Sequence, residues 1–343
     1  MMNKMFKIIL GIALVILVVF GGAIAYLSTA FDPNDYKTEI TDLVKSHTGL
    51  DLIISGDLSL SVFPWLGVSV EGVTINSATG PLASISVAKV ATRLMPLLKG
   101  DVQIKGLTLE DSEINWIIDE FGKTMLDLEQ TESPQSAGDS APAEAASLAA
   151  LTIGNVRIKN ANITYHDKQA GQFHQVQGLD FSVKDASLNG SFPVKGQFNY
   201  RNRPDAIPLA IRLDAQVKAN AATQTINLSE MLIQANSARL KVDADITSLA
   251  QTPSLKATIR LENLRPAEFA QLLDQPDLAG MTLALKIEAD LELDTARDTL
   301  QISRLDINSK QLQASGKLAA VSLSDNPTFN GQLQIKPFNV QGL

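Results

Sequence analysis

The sequence predicts a mostly β protein. An N-terminal transmembrane helix and one amphipathic helix precede an elongated, curled antiparallel β-sheet (groove) of repeated modules with few short helices. Three observations predict this. An uncharged apolar run fills residues 8–27, apolar residues alternate with a period of two from Leu50 onward, and residues 209–269 recur at 283–343.

Residues 8–27 read IILGIALVILVVFGGAIAYL. A helix of that length spans about 30 Å, the thickness of a bilayer hydrocarbon core, and satisfies its own backbone hydrogen bonds there. Lys4 and Lys7 precede the run and Asp32 and Asp35 follow it, which places the N-terminus inside and the body outside. A cleaved signal peptide is the alternative, because Ala23-Ile24-Ala25 and Ser28-Thr29-Ala30 resemble small-residue cleavage sites. Either reading exports the body.

The chain has 343 residues, a formal charge of −8 and no Cys. The acidic balance and the lack of a basic stripe argue against nucleic acid as a partner. An exported chain without Cys has neither disulfide staples nor thiolate chemistry. Aromatics make up 5% against 45% hydrophobic residues, so the apolar surface is mostly aliphatic.

A helix is predicted over 33–47. Asp32 suits the N-cap, Pro33 the first turn and Gly49 the stop. Tyr36, Ile40, Leu43, Val44 and His47 share one face. That face can cap an open sheet end or lie on a membrane, and the lack of a basic polar face favours capping. Strand alternation follows: Leu52/Ile54, Leu58/Leu60/Val62, Val68/Val70, then Val73/Ile75 after Gly72 shifts the phase. Ile85/Val87, Val102/Ile104 and, after Gly106, Leu107/Leu109 continue it. Residues 129–150 form an Ala/Ser/Pro linker with too few large apolar groups to pack. This divides the chain into a stub and anchor (1–30), a first β region with its leading helix (31–128), a disordered linker (129–150) and repeated modules (151–343). About twenty strands are expected, with two or three short helices.

The repeat has a spacing of 74 residues without a gap. LAIRLDAQV from Leu209 matches LALKIEADL from Leu283, and Pro253 falls on Pro327. Each unit reads as four strands and a short helix, the first at 266–273. The second helix would start at Val340 and needs residues beyond Leu343, which predicts that the chain is a fragment or a truncated product.

Over 209–217, Leu209, Ile211, Leu213, Ala215 and Val217 point one way, and Ala210, Arg212, Asp214 and Gln216 the other. Such a sheet has one solvated face and one apolar face that needs a cover. A second sheet in a sandwich, the same sheet curled on itself, or lipid chains would serve. A curled sheet open along one side makes an aliphatic groove, and a membrane anchor makes lipid its nearest apolar ligand. The candidate lining is Leu209, Ile211, Leu213, Val217, Ile226, Leu228, Leu283, Leu285, Ile287, Leu291, Leu293, Leu300 and Ile302.

No catalytic, cofactor or metal motif emerges. His47 lies on the helix face. His166 and Asp167 are adjacent at a strand end and so face opposite ways, which argues against a dyad. His174 is the third histidine. Phe63-Pro64-Trp65-Leu66 is read as a turn plug or, less simply, as a binding box.

The run from Phe31 to Ala78, FDPNDYKTEITDLVKSHTGLDLIISGDLSLSVFPWLGVSVEGVTINSA, resembles the start of the AsmA family. NANITYHDKQAG from Asn160 and the Pro-centred repeats are similar to its middle region, so the resemblance covers nearly the whole chain. It implies an inner-membrane protein of Gram-negative bacteria with a periplasmic body. It also implies likeness to repeating β-groove bridge proteins that move lipids, a link to outer-membrane assembly, and no catalytic motif. The expected function is non-enzymatic binding and transfer of phospholipid acyl chains toward the outer membrane. The alternative is an assembly factor or chaperone for outer-membrane proteins; a periplasmic hydrolase is the third class. The expected partners are acyl chains, the inner membrane through residues 8–27 and outer-membrane assembly proteins.

Overall fold

The computed structural model describes residues 32–61, 66–77, 80–92, 104–124 and 154–337. The expected membrane helix at 8–27, the Phe63-Pro64-Trp65 cluster, the linker at 129–150 and the second-copy helix from Val340 lie outside these residues. Among the described residues no helix is long and apolar enough to cross a membrane.

The leading helix forms where expected. A 3-10 turn, Pro33–Tyr36, runs into α1, Lys37–Thr48. The Asp32 carboxylate accepts the Asn34 N–H at 2.9 Å, and Gly49 ends the helix at φ 70°. The Asn34 side chain both accepts from Leu58 N–H at 2.9 Å and donates to Leu58 O at 3.2 Å. The 3-10 turn is therefore tied to the start of the strand Leu58–Ser61, while Tyr36 and Leu43 stay 49% and 62% exposed.

The strands are β1 Asp51–Ile54, β2 Leu58–Ser61, β3 Leu66–Ser77, β4 Gly80–Thr92, β5 Ile104–Ile118 and β6 Asn155–Asp167. β7 Gln172–Val183, β8 Asn189–Arg201, β9 Leu209–Asn220, β10 Thr225–Ala235 and β11 Ala238–Thr247 follow. β12 Ser254–Leu264, β13 Leu285–Asp294, β14 Thr299–Asn308, β15 Gln313–Val321 and β16 Thr328–Ile335 complete the series. All belong to one open 16-stranded sheet in nearly sequential order, with β1 and β2 sharing the edge of β3.

Among the described residues there are sixteen strands against the expected twenty, and bulges let single strands run through places where the alternation slips. Gly72, Asp111, Asn160, Gly178, Glu230 and Asn263 sit inside strands with φ between 49° and 62°. A left-handed residue bends its strand and increases the local twist, which curls the sheet. Most of these positions carry Gly, Asn or Asp, which tolerate that conformation best. Neighbouring side chains take up the N–H groups of three of them. Asn160 N–H donates to Asp180 Oδ1 at 3.0 Å, Gly178 N–H to Asn162 Oδ1 at 3.0 Å and Glu230 N–H to Asp243 Oδ1 at 3.2 Å.

One expectation is corrected. The sheet is not antiparallel throughout, because β5 and β6 pair in parallel, Leu107 with Val156 and Trp116 with Tyr165. A parallel pair needs a long return connection, and residues 119–154 supply it. The sheet is thus hydrogen-bonded straight across the segment that reads as a domain linker.

The repeat holds at the level of single residues. β9 to β12 and β13 to β16 are its two copies of four strands. The turn residues Gln224 and Ser248 (φ 52° and 56°) recur 74 positions on as Asp298 and Ser322 (φ 54° and 57°). The expected helix at 266–273 is instead a 3-10 turn, Pro266–Phe269, with a second at Pro276–Gly280.

Candidate functional site

Registers across the second half set the apolar residues in rows. One row runs Phe192, Val217, Leu228, Ala244, Ala257, Leu291, Ile302, Leu318 and Gly331. A second carries Ile226, Ile246, Leu255, Leu293, Leu300, Ala320 and Phe329. A third carries Leu213, Ile233, Leu240, Leu261, Ile287, Ile307, Ala314 and Ile335. Cross-strand neighbours stand about 5 Å apart, so each row is a continuous apolar track. Most of the predicted lining residues fall on these tracks.

What covers this face decides what it can do. The buried apolar residues are mostly alanines, among them Ala161, Ala215, Ala244 and Ala320, and among the described residues no large side chain is fully buried. The larger residues of the tracks are half-buried, except Phe329 and Ile335 on β16, which are exposed. A sandwich core would bury Leu and Ile completely, since interiors are close-packed. Here the aliphatic face belongs to a single sheet, with alanines in the crease and larger side chains standing free.

Leu209 and Leu283 are exceptions, at 8% and 5% exposed. They lie at the end of the sheet where the 266–280 segment folds back. Asn202 Nδ2 donates to Leu272 O at 2.6 Å, Arg203 pairs with Asp274 at 2.9 Å, and Ser237 N–H donates to Glu268 Oε2 at 3.0 Å. Ala206, Ala238 and Ala270 are buried at the same place. The predicted lining therefore divides. Leu209 and Leu283 pack beneath protein, while Ile211, Leu213, Val217, Ile226, Leu228, Leu285, Ile287, Leu291, Leu293, Leu300 and Ile302 remain half-buried on the apolar face.

The opposite face is polar. Exposed pairs such as Lys195–Asp214 (2.9 Å), Lys241–Glu262 (3.1 Å) and Lys256–Glu292 (3.3 Å) cross its strands. Each contributes about 0–1 kcal/mol, so they keep this face wet more than they stabilise it. Arg304, at 2.7 Å, and Thr258 bond to Asp290 and hold its carboxyl below the usual carboxylate value. Gln197 and then the Asn160 N–H do the same for Asp180.

Sequence reading missed one group. Trp116, Tyr165 and His174 follow one another across β5, β6 and β7, and Tyr200 lies diagonally next on β8. The Tyr165 and His174 ring centroids are 5.9 Å apart, and His174 and Tyr200 are stacked at 6.1 Å. His174 Nδ1 and Tyr200 Oη share a hydrogen bond of 2.7 Å. Each of these residues alternates with apolar-face residues (Ile114, Ile163, Val176 and Phe198), which is the signal in the sequence. On the other face His166 meets Phe173 edge-on at 5.5 Å, while Asp167 accepts the Ala170 N–H at 2.8 Å. The two adjacent residues thus have separate partners. Among the described residues no cluster of three or more His, Asp or Glu side chains is placed to hold a metal ion.

The family model described as AsmA family matches residues 2–326, nearly the whole chain. The chain belongs to the AsmA family. No curated protein and no solved structure matches it. In this AsmA-family chain, no second protein layer covers most of the apolar sheet face among the described residues.

Proposed function

We propose that this AsmA-family protein is a non-enzymatic carrier of phospholipid. Acyl chains lie along the three aliphatic tracks, and the protein conducts them from an inner membrane toward an outer membrane. Residues 8–27 anchor it by a single N-in pass in a bacterial inner membrane, with the sheet in the periplasm. The observation that carries this reading is the aliphatic face, most of which no second layer covers among the described residues. Its large side chains are half-exposed, and an aliphatic ligand would recover the burial each forgoes, about 1.5–3 kcal/mol for a complete Leu or Ile. Mass spectrometry of the full chain purified in mild detergent tests it. Phospholipid bound in stoichiometric amounts is the expected result, and a chain free of lipid would overturn the proposal. Protease added to spheroplasts, which should digest the body, tests the topology.

One observation favours a second reading, a factor that binds extended outer-membrane protein segments. β16 is exposed along its whole length, carries no charge and pairs only with β15 among the described residues. An edge of that kind accepts strand addition. Retention of peptides in place of phospholipid would favour it.

A further inference from the structure

The aromatic row lies at one rim of the sheet. Trp116 is close to the end of β5, Tyr165 to the end of β6, His174 to the start of β7 and Tyr200 to the end of β8. The directions of these strands bring all four to the same rim. One step inward the face becomes aliphatic, with Ile114, Ile163 and Val176 paired in sequence. In a chain with only 5% aromatic residues, four rings with polar tips therefore mark the boundary between aliphatic floor and water. Rings with one apolar and one polar end favour such a boundary, as they do at the headgroup level of bilayers.

The hydrogen-bond inventory gives this rim a chemical sense. One hydrogen is shared between His174 Nδ1 and Tyr200 Oη. If Tyr200 donates it, His174 keeps a free Nε2–H; if His174 donates it, Tyr200 keeps a free O–H. Either tautomer leaves one donor unspent. Trp116 carries an indole N–H, and the Tyr165 hydroxyl makes only a long contact of 3.5 Å to Asp167. The row is thus a line of hydrogen-bond donors above an aliphatic floor. Phosphate and ester oxygens are acceptors, and in a glycerophospholipid they sit where the acyl chains begin.

We infer that this rim is the headgroup rail of the groove. The phosphate of a glycerophospholipid rests against Trp116, Tyr165, His174 and Tyr200, with its acyl chains directed inward over Ile114, Ile163 and Val176. The inference rests on the proposed lipid-carrying function and adds the orientation of the lipid and the residues that fix it. The phosphate and ester oxygens the rim would read are common to zwitterionic and anionic phospholipids, so both are accepted. Beyond this row, along the same rim, the 266–280 segment bonds to the chain from Asn202 onward, so headgroups have their open path on the β5–β8 side of that point.

The chain has two tryptophans, and Trp65→Phe leaves Trp116 as a single reporter. The full-length Trp65→Phe protein is stripped of lipid. It is then reloaded from vesicles of phosphatidylethanolamine and phosphatidylglycerol doped with spin-labelled phosphatidylcholine. The nitroxide is either on the headgroup or midway down an acyl chain, and bound label is counted by spin resonance. The expected result is Trp116 quenching per bound lipid roughly twofold stronger from the headgroup label, because the ring lies at headgroup level. Equal or stronger quenching from the chain label, with lipid bound, would overturn the rail and leave the carrier intact. Absence of bound label would overturn both. In the same background Tyr165→Phe, His174→Phe and Tyr200→Phe together keep the rings and remove three donors. With quenching counted per bound lipid, this variant should lose the headgroup preference; an unchanged preference would also overturn the rail.

Discussion

Leu283 and Leu285 face the same side of the sheet two residues apart, yet they live in different surroundings. Leu283 is 5% exposed beside the 266–280 segment, whereas Leu285 is half-buried and paired with Leu264, which is also half-buried. An Asp at position 283 would lose a complete Leu packing site and leave a carboxylate without a partner, costing about 4 kcal/mol or more. An Asp at position 285 loses only part of a Leu burial, and water reaches the carboxylate, for a cost of about 1–2 kcal/mol. A domain of this size loses roughly 2–4 °C of Tm per kcal/mol. Leu285→Asp should therefore melt a few degrees below the wild type with its β circular dichroism intact, while Leu283→Asp melts at least about 10 °C lower. Leu285→Asp should also lose bound phospholipid, counted by mass spectrometry, because it sets a charge in the path of the acyl chains. Glu288→Lys on the polar face is the lipid control and should keep it. Equal melting losses at 283 and 285 would refute the reasoning, since they would mean that protein covers the face at both positions.

Three further outcomes are expected. Cleavage within residues 129–150 should leave both pieces together on a sizing column, because β5 and β6 pair directly across it; separation without denaturant would contradict that pairing. Asn160→Val should lower the urea midpoint by an amount equivalent to about 1–3 kcal/mol, since a β-branched residue fits poorly at φ 49°, while Asn160→Gly should cost less. Asp180 and Asp290 have folded pKa values below the ordinary 3.8, so each contributes stability that is present above pH 3.8 and is lost as pH falls through the lowered folded value. The urea midpoint should drop across that acid range, less so in an Asp180→Asn Asp290→Asn double variant, and an identical drop in both proteins would count against these two groups.

The sequence by itself determined whatever depends on near neighbours along the chain. Period-two alternation assigned Leu213, Leu228, Leu291 and Ile302 to one face, because successive strand side chains point to opposite sides. Asp32, Pro33 and Gly49 bounded the helix through local capping chemistry. The 74-residue repeat gave four strands per module, since two similar sequences meet the same turn requirements at Gln224 and Asp298. Tertiary structure alone decided what depends on register and distant contact. The parallel pairing of β5 with β6 rests on a return connection whose composition says nothing of its direction. Leu209 and Leu283 differ from the rest of the lining because the 202–206 loop and the 266–280 segment, 68–71 residues apart in sequence, bond to each other beside them. Trp116, Tyr165, His174 and Tyr200 form a row only because bulges at Asp111, Asn160 and Gly178 keep four strands in step. A bulge changes which residues stand opposite one another without disturbing the alternation that each strand shows alone.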